Sequence, residues 1–224
     1  KLLLDEKGIK DGVTIKIRKY IPVAAGMAGG STDAAAVLVG VNRMFDLGFT
    51  KKELMERGVK LGADVPYCIM RGTALSEGIG EILTELPAPP QCHLVIAKPQ
   101  ISVSTKAVYG KLRVNELAPE EHPDIDGMMA AIKNGDLDGV IERLGNVLET
   151  VTVPDHPEIA RIKEMMMENG ACGSLMSGSG PTVFGIYKDK ELAEKACQAL
   201  READGGRLTR QVYLTEFYNR KKAR

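Results

Sequence analysis

The sequence predicts an α+β fold, and three observations lead to that expectation. Residues 13–20, "VTIKIRKY", alternate apolar and polar with period two, the pattern of a half-buried strand. From Ala34 the period changes, because Ala34, Leu38, Val41 and Phe45 recur at helical spacing and share one face. The second half then runs strand, helices, two strands, helix, strand, which is the order of a split βαβ sandwich.

Taken in order, the elements follow from local chemistry. Ser31 is a good N-cap, so the first long helix is expected to start there with its N-terminus facing the glycines before it. A second helix, "KKELMERGVKLG", follows Thr50. The segments "GTALSEG" and "GEILTEL" read as paired strands around a Gly-rich turn. "LPAPPQ" (86–91) holds three prolines and marks the expected domain boundary, giving domains 1–90 and 91–224. Beyond it, "CHLVIAKP" reads as a buried strand, with helices around 105–112, 123–133 and 157–169. "GSLMSGSGPTVFGIY" gives two strands around a Gly-Ser-Gly-Pro turn. A charged amphipathic helix over 190–202 and a strand, "QVYLTEF", complete the series; the basic tail "NRKKAR" reads as solvated.

Composition excludes several function classes. At 224 residues the chain is long enough to bury a sizeable core. Lys plus Arg and Asp plus Glu are 30 each, so no net field attracts nucleic acid or an anionic membrane. No apolar run reaches the ~18 residues of a membrane span. The four cysteines (Cys68, Cys92, Cys172, Cys197) are scattered without a C-x-x-C pair, which suits core fillers in a reducing cytoplasm. The three histidines are isolated, with His156 at a helix entrance, so no metal-ligating set is read and a zinc centre is not expected. The chain opens at Lys1 without a methionine or a signal-peptide pattern, and a fragment lacking its true beginning is expected.

"PVAAGMAGGSTDAAA" (22–36) is the stretch with the most chemistry. It is not a Walker loop, since no lysine follows Gly30, and not a dinucleotide fingerprint, since position 28 is alanine. Its physics still suits an anion. Glycines let backbone N–H groups converge, and a helix start supplies free N–H groups and the positive end of a dipole. Ser31 and Thr32 add hydroxyls that can reach a phosphate oxygen or its magnesium, and Asp33 can stabilise the helix end or help hold the cation. A plain strand-to-helix turn into a close-packed Ala-rich helix accounts for the same residues. "LGADVPYC" ends a helix and carries one carboxylate, Asp64, among apolar residues. A buried carboxylate there must be hydrogen-bonded, paired or functional; a capping Asp before proline is the alternative. In "SGSGP" (177–181) two glycines flanking a serine sharpen a hairpin, which a turn alone also explains.

In this order the three stretches resemble the GHMP kinase superfamily. The proline, glycine and Ser-Thr of its nucleotide-phosphate loop fall at Pro22, Gly26 and Ser31-Thr32, and its later Gly-rich motif is similar to "LMSGSGPTVFG". Within the superfamily, "LGADVPYC", "GTALSEGIGE" and "KPQISVSTKAVY" are similar to the branch acting on 4-diphosphocytidyl-2-C-methyl-D-erythritol in the non-mevalonate isoprenoid pathway. The resemblance runs from about Val13 to Phe217. It implies a ribosomal-protein-S5-domain-2-like N-terminal domain, incomplete here, and a ferredoxin-like C-terminal domain. It implies transfer of the γ-phosphate of ATP, with Mg²⁺, to the 2-hydroxyl of that small molecule, in a cytoplasmic monomer or homodimer without nucleic-acid or membrane partners.

Carried over, the ATP phosphates are wrapped by Pro22, Val23, Ala24, Ala25, Gly26, Met27, Ala28, Gly29, Gly30, Ser31 and Thr32. Asp64 is the catalytic base, and Thr105 and Tyr109 contact the substrate, the aromatic stacking on cytosine. The family's opening P-x-K-x-N-L motif, with its lysine, has no match in "KLLLDEKG", so the 224-residue chain alone is expected to be poorly stable or inactive. Homoserine or mevalonate kinase would share the glycine motifs, and a nucleotide-binding module without turnover is a reading from another class.

Overall fold

A computed structural model describes residues 1–22 and 25–218, and the chain divides into two compact units, one of residues 1–23 and 28–86, the other of 24–27 and 87–224. Val23 and Ala24 of the glycine loop and the basic tail from Asn219 lie outside the described residues.

The first unit is mostly helical. Its helices are α1 (Leu2–Glu6), α2 (Gly29–Met44), α3 (Lys51–Gly58) and α4 (Val65–Met70), followed by the antiparallel hairpin β1 (Thr73–Glu77) and β2 (Ile82–Leu86). The predicted face of α2 is the one that packs: Leu38 is buried with Ala35, and Ala34, Val41 and Phe45 pack against the same cluster. Leu3 and Leu4 of α1, Leu54 of α3 and Val65 and Ile69 of α4 complete it. Phe49 closes one side under the cations of Lys7 and Arg57, 4.5 and 4.3 Å from its ring centre.

Thr50 starts α3 through a reciprocal capping box with Glu53. Thr50→Ala is expected to cost about 1 kcal/mol in urea unfolding. An unchanged midpoint would mean that packing alone fixes α3.

The predicted strand 13–20 does not form. Those residues carry no strand or helix assignment, and Ile15, Ile17 and Tyr20 are 51, 59 and 82% exposed. Alternation makes a segment able to enter a sheet, but a strand exists only with a ladder partner. The only described ladder in this unit joins β1 to β2.

The second unit is built on a four-stranded antiparallel sheet of β3 (His93–Pro99), β4 (Gly173–Met176), β5 (Val183–Tyr187) and β6 (Thr209–Glu216), in the order β4-β5-β3-β6. Its helices are α5 (Thr105–Lys111), α6 (Ile125–Asn134), α7 (Leu137–Glu142), α8 (Glu149–Asp155), α9 (Pro157–Glu168) and α10 (Lys190–Glu202). Strand β3 is buried on both faces, as "CHLVIAKP" predicts. Val95 and Ala97 pack with Ile159, Ile162 and Met166 of α9 and Ala193, Ala196 and Leu200 of α10. Leu94, with Cys92 before it, faces a second cluster that includes Ile141 of α7. Cys92 and Cys197 are core fillers as expected; Cys172, however, is exposed and Cys68 half-buried. Burial pushes the Cys92 thiol up to about 11.

Candidate active site

In the first unit the site is organised by the start of α2. The helix begins at Gly29, two residues before the predicted N-cap, so Ser31 lies in its first turn. Ala28 occupies the cap position in a left-handed conformation (φ 46°, ψ 28°), and among the described residues no side-chain capping bond is made to the helix. The first N–H groups of a helix have no intrahelical acceptor. Here they sit at the positive end of sixteen residues of aligned dipole. Gly30 is exposed, and a Cβ built on it would meet no atom of the described residues within 4 Å.

Lys19 was not singled out by the sequence, where it reads as one polar position of an alternating segment. Its Nζ donates to the Gly29 carbonyl at 2.7 Å and forms an ion pair with Asp33. The Asp33 carboxylate, offered by the sequence for the helix end or a cation, is therefore engaged with a lysine. Among the described residues, no group of three or more His, Cys, Asp or Glu side chains is placed to hold a metal ion.

The Asp64 segment packs beside the same helix start. A Cβ on Gly62 would lie 3.9 Å from Ser31 Oγ, and Cys68 Sγ lies 3.5 Å from Thr32 Oγ1, which also reaches the Ala28 carbonyl at 3.0 Å. Two expectations for Asp64 are corrected. The stretch that carries it does not end a helix, since α3 stops at Gly58; Asp64 instead precedes one, at the cap position of α4, and it is exposed, not buried. The apolar neighbours that suggested burial, Val65 and Pro66, go into the interior and leave the carboxylate outside. The side chain makes no capping hydrogen bond. The result is an open carboxylate on an anchored turn. The Cys68 thiol four residues on is pushed up by burial and, to a smaller extent, by the Asp64 charge, while Thr32 acts the other way.

In the second unit, the 25–27 part of the glycine loop meets the later Gly-rich motif. Gly26 has φ 66°, and Ser177 Oγ donates to its carbonyl at 2.8 Å. A Cβ on Gly26 would lie 2.2 Å from the Ser177 carbonyl oxygen. Two motifs 151 residues apart are thus one contact. The 177–180 turn is tied further by groups that no motif marked. Asn146 Nδ2 donates to the Met176 and Gly178 carbonyls at 2.9 and 2.8 Å. Glu149 accepts from the Met176 N–H at 2.7 Å and pairs with Lys163.

Helix α5 carries both predicted substrate contacts. Ser104 caps it and buried Val108 anchors it, while Tyr109 is 61% exposed, one turn beyond Thr105. Thr105 Oγ1 lies 2.9 Å from Ser179 Oγ.

The pattern of the GHMP kinases N terminal domain matches residues 1–72, and that of the GHMP kinases C terminal domain matches 128–205. The 4-diphosphocytidyl-2-C-methyl-D-erythritol kinase of Lachnospira eligens is 53% identical over 217 residues, which cover 97% of this chain and 74% of that protein. This chain belongs to the GHMP kinases.

A kinase of the same name from Lachnoclostridium phytofermentans is 52% identical over 99% of the chain and 74% of its own length. Among solved structures, a 4-(cytidine 5'-diphospho)-2C-methyl-D-erythritol kinase superposes with TM-score 0.78 at 30% identity, covering 96% of this chain and 74% of that one. A homoserine kinase from Cytophaga hutchinsonii superposes at 0.82 with 22% identity, over 95% of this chain and 72% of that one. The backbone is therefore common to GHMP kinases with different acceptors and does not by itself select one. No helix among the described residues is long and apolar enough to cross a membrane.

Proposed function

We propose that this GHMP kinase transfers the γ-phosphate of ATP to the 2-hydroxyl of 4-diphosphocytidyl-2-C-methyl-D-erythritol, a step of non-mevalonate isoprenoid synthesis. The observation that carries this reading is the 52–53% identity to two kinases of that name over nearly the whole chain. Local chemistry agrees with it. The uncapped N–H groups at Gly29, Gly30 and Ser31 bind phosphate oxygens, with the open space over Gly30 giving access. The Ser31 and Thr32 hydroxyls suit Mg²⁺, which neutralises charge on the transferring phosphoryl group; Asp33 stays with Lys19. Asp64 accepts the proton of the attacking hydroxyl, a role open to a carboxylate that is exposed and uses none of its acceptor capacity in capping. Tyr109 offers an exposed ring to cytosine and Thr105 a hydroxyl to the acceptor.

The test is phosphoryl transfer from ATP to the diphosphocytidyl substrate, in a chain supplied with the family's opening lysine motif and with homoserine and mevalonate as competing acceptors. Preference for either competitor overturns the acceptor assignment. ATP binding without transfer to any of the three would indicate a nucleotide-binding module instead.

Gly30 gives a check with opposite signs for fold and ligand. It is helical, not left-handed, so Gly30→Ala is expected to stabilise the chain by up to about 1 kcal/mol. The added methyl stands where phosphate must approach, so ATP affinity falls about tenfold, the equivalent of ~1.4 kcal/mol. Unchanged affinity in calorimetry removes Gly30 from the phosphate loop.

A further inference from the structure

We infer that Ser179 is a positioning residue that couples nucleotide binding to acceptor binding. The inference rests on the reading proposed above and adds a role for a side chain that the reading leaves unused. Ser179 is 5% exposed, so it reaches a ligand from solvent poorly, yet its hydroxyl and its carbonyl are both engaged. Its hydroxyl meets Thr105 Oγ1 on α5 at 2.9 Å, and its carbonyl accepts from Thr152 Oγ1 on α8 at 3.3 Å. Two residues earlier in the same turn, the Ser177 hydroxyl holds the Gly26 carbonyl. The Gly180 N–H closes the turn onto the Ser177 carbonyl at 3.0 Å, so residues 177–180 form one hydrogen-bonded turn.

An unbroken series of contacts thus runs from Gly26, through Ser177 and Ser179, to Thr105 and the helix that carries Tyr109. Phosphates seated on the glycine loop fix the turn, and the turn fixes the hydroxyl of Thr105 and the first turn of α5. Ordering one site in this way lowers the cost of ordering the other, which is positive coupling, and linkage requires it to be reciprocal.

The experiment measures the affinity of a non-hydrolysable ATP analogue by calorimetry, alone and with saturating acceptor, in the 224-residue chain. In the parent, acceptor should tighten the analogue by about fivefold or more, the low end of ordinary allosteric coupling. In Ser179→Ala the factor should fall to within about twofold of none, with the analogue's affinity in the absence of acceptor largely kept. Thr105→Ser, which keeps the hydroxyl, should retain coupling, and Thr105→Val should lose it; exposed Thr105 provides this second reading if Ser179→Ala does not fold. A folded Ser179→Ala with parent coupling overturns the inference. So does an equal loss of affinity with and without acceptor, because Ser179 would then only shape the turn. A parent that binds no analogue at all fails earlier and sinks the kinase reading together with this one.

Discussion

In a chain supplied with the family's opening lysine motif, Asp64→Asn should slow single-turnover phosphoryl transfer by on the order of 10² or more, the usual size of general-base assistance, while ATP affinity and melting temperature stay near those of the parent. The substitution keeps the shape of the side chain and removes the charge and the proton acceptor. Little stability is at stake. The carboxylate is exposed and makes no capping bond, and the anchors of its turn are Val65 and Pro66. Were Asp64 a working cap, the loss would instead be ~0.5–2 kcal/mol of stability with turnover per folded molecule intact. A folded Asp64→Asn retaining near-parent turnover takes Asp64 out of the mechanism. A second readout checks that the charge is what changed. The Asp64 carboxylate helps to hold the Cys68 thiol above its ordinary value, so removing it should lower that value. More thiolate is then present at a given pH, and alkylation of Cys68 should quicken.

How far the sequence exposed this molecule depends on the range of the interactions involved. Helix α10 was legible to the residue, and the buried face built by Ala193, Ala196, Cys197 and Leu200 lies within three turns of chain. The hairpin β1–β2 was legible for the same reason, since its turn and both its strands are contiguous. Where a partner had to come from elsewhere, the local signal misled. Residues 13–20 alternate correctly, but no described strand pairs with them. Asp64 sits among apolar neighbours in sequence, yet those neighbours turn inward and the carboxylate does not. The start of α2 was misplaced because Ser31 is a good cap in isolation, whereas Gly29 and Gly30 adopt helical backbone before it. The residues missed altogether make contacts that span the chain. Asn146 bonds to carbonyls 30 and 32 residues away, and Glu149 to an N–H 27 away; the far ends lie in the Gly-rich motif, but no motif marks Asn146 or Glu149. Lys19 is closer, 10 residues from Gly29, but period-two alternation gave its charge a sufficient explanation as a polar strand position.

The second large effect is expected at Gly26, the loop glycine that the backbone needs most. Gly26→Ala meets two obstacles. Its φ of 66° is left-handed, which disfavours any Cβ by ~1–2 kcal/mol. That Cβ would also lie 2.2 Å from the Ser177 carbonyl oxygen and 3.1 Å from that of Gly180, both main-chain atoms that no rotamer change can move aside. The loop and the 177–180 turn must separate, and the Ser177 hydroxyl bond to the Gly26 carbonyl is lost with them. That bond contributes ~0.5–1.5 kcal/mol. Together these give a destabilisation of roughly 2–4 kcal/mol and a fall in ATP affinity of about tenfold or more. Ser177→Ala separates the contributions, because it removes the hydroxyl and leaves the carbonyl. It should cost only the hydrogen-bond share, about 1 kcal/mol. The double variant Gly26→Ala with Ser177→Ala should not be rescued, since the obstructing oxygen belongs to the backbone. Rescue would place the conflict in the side chain. A Gly26→Ala protein with parent-like melting temperature and ATP affinity would show that the loop does not need this conformation to bind nucleotide.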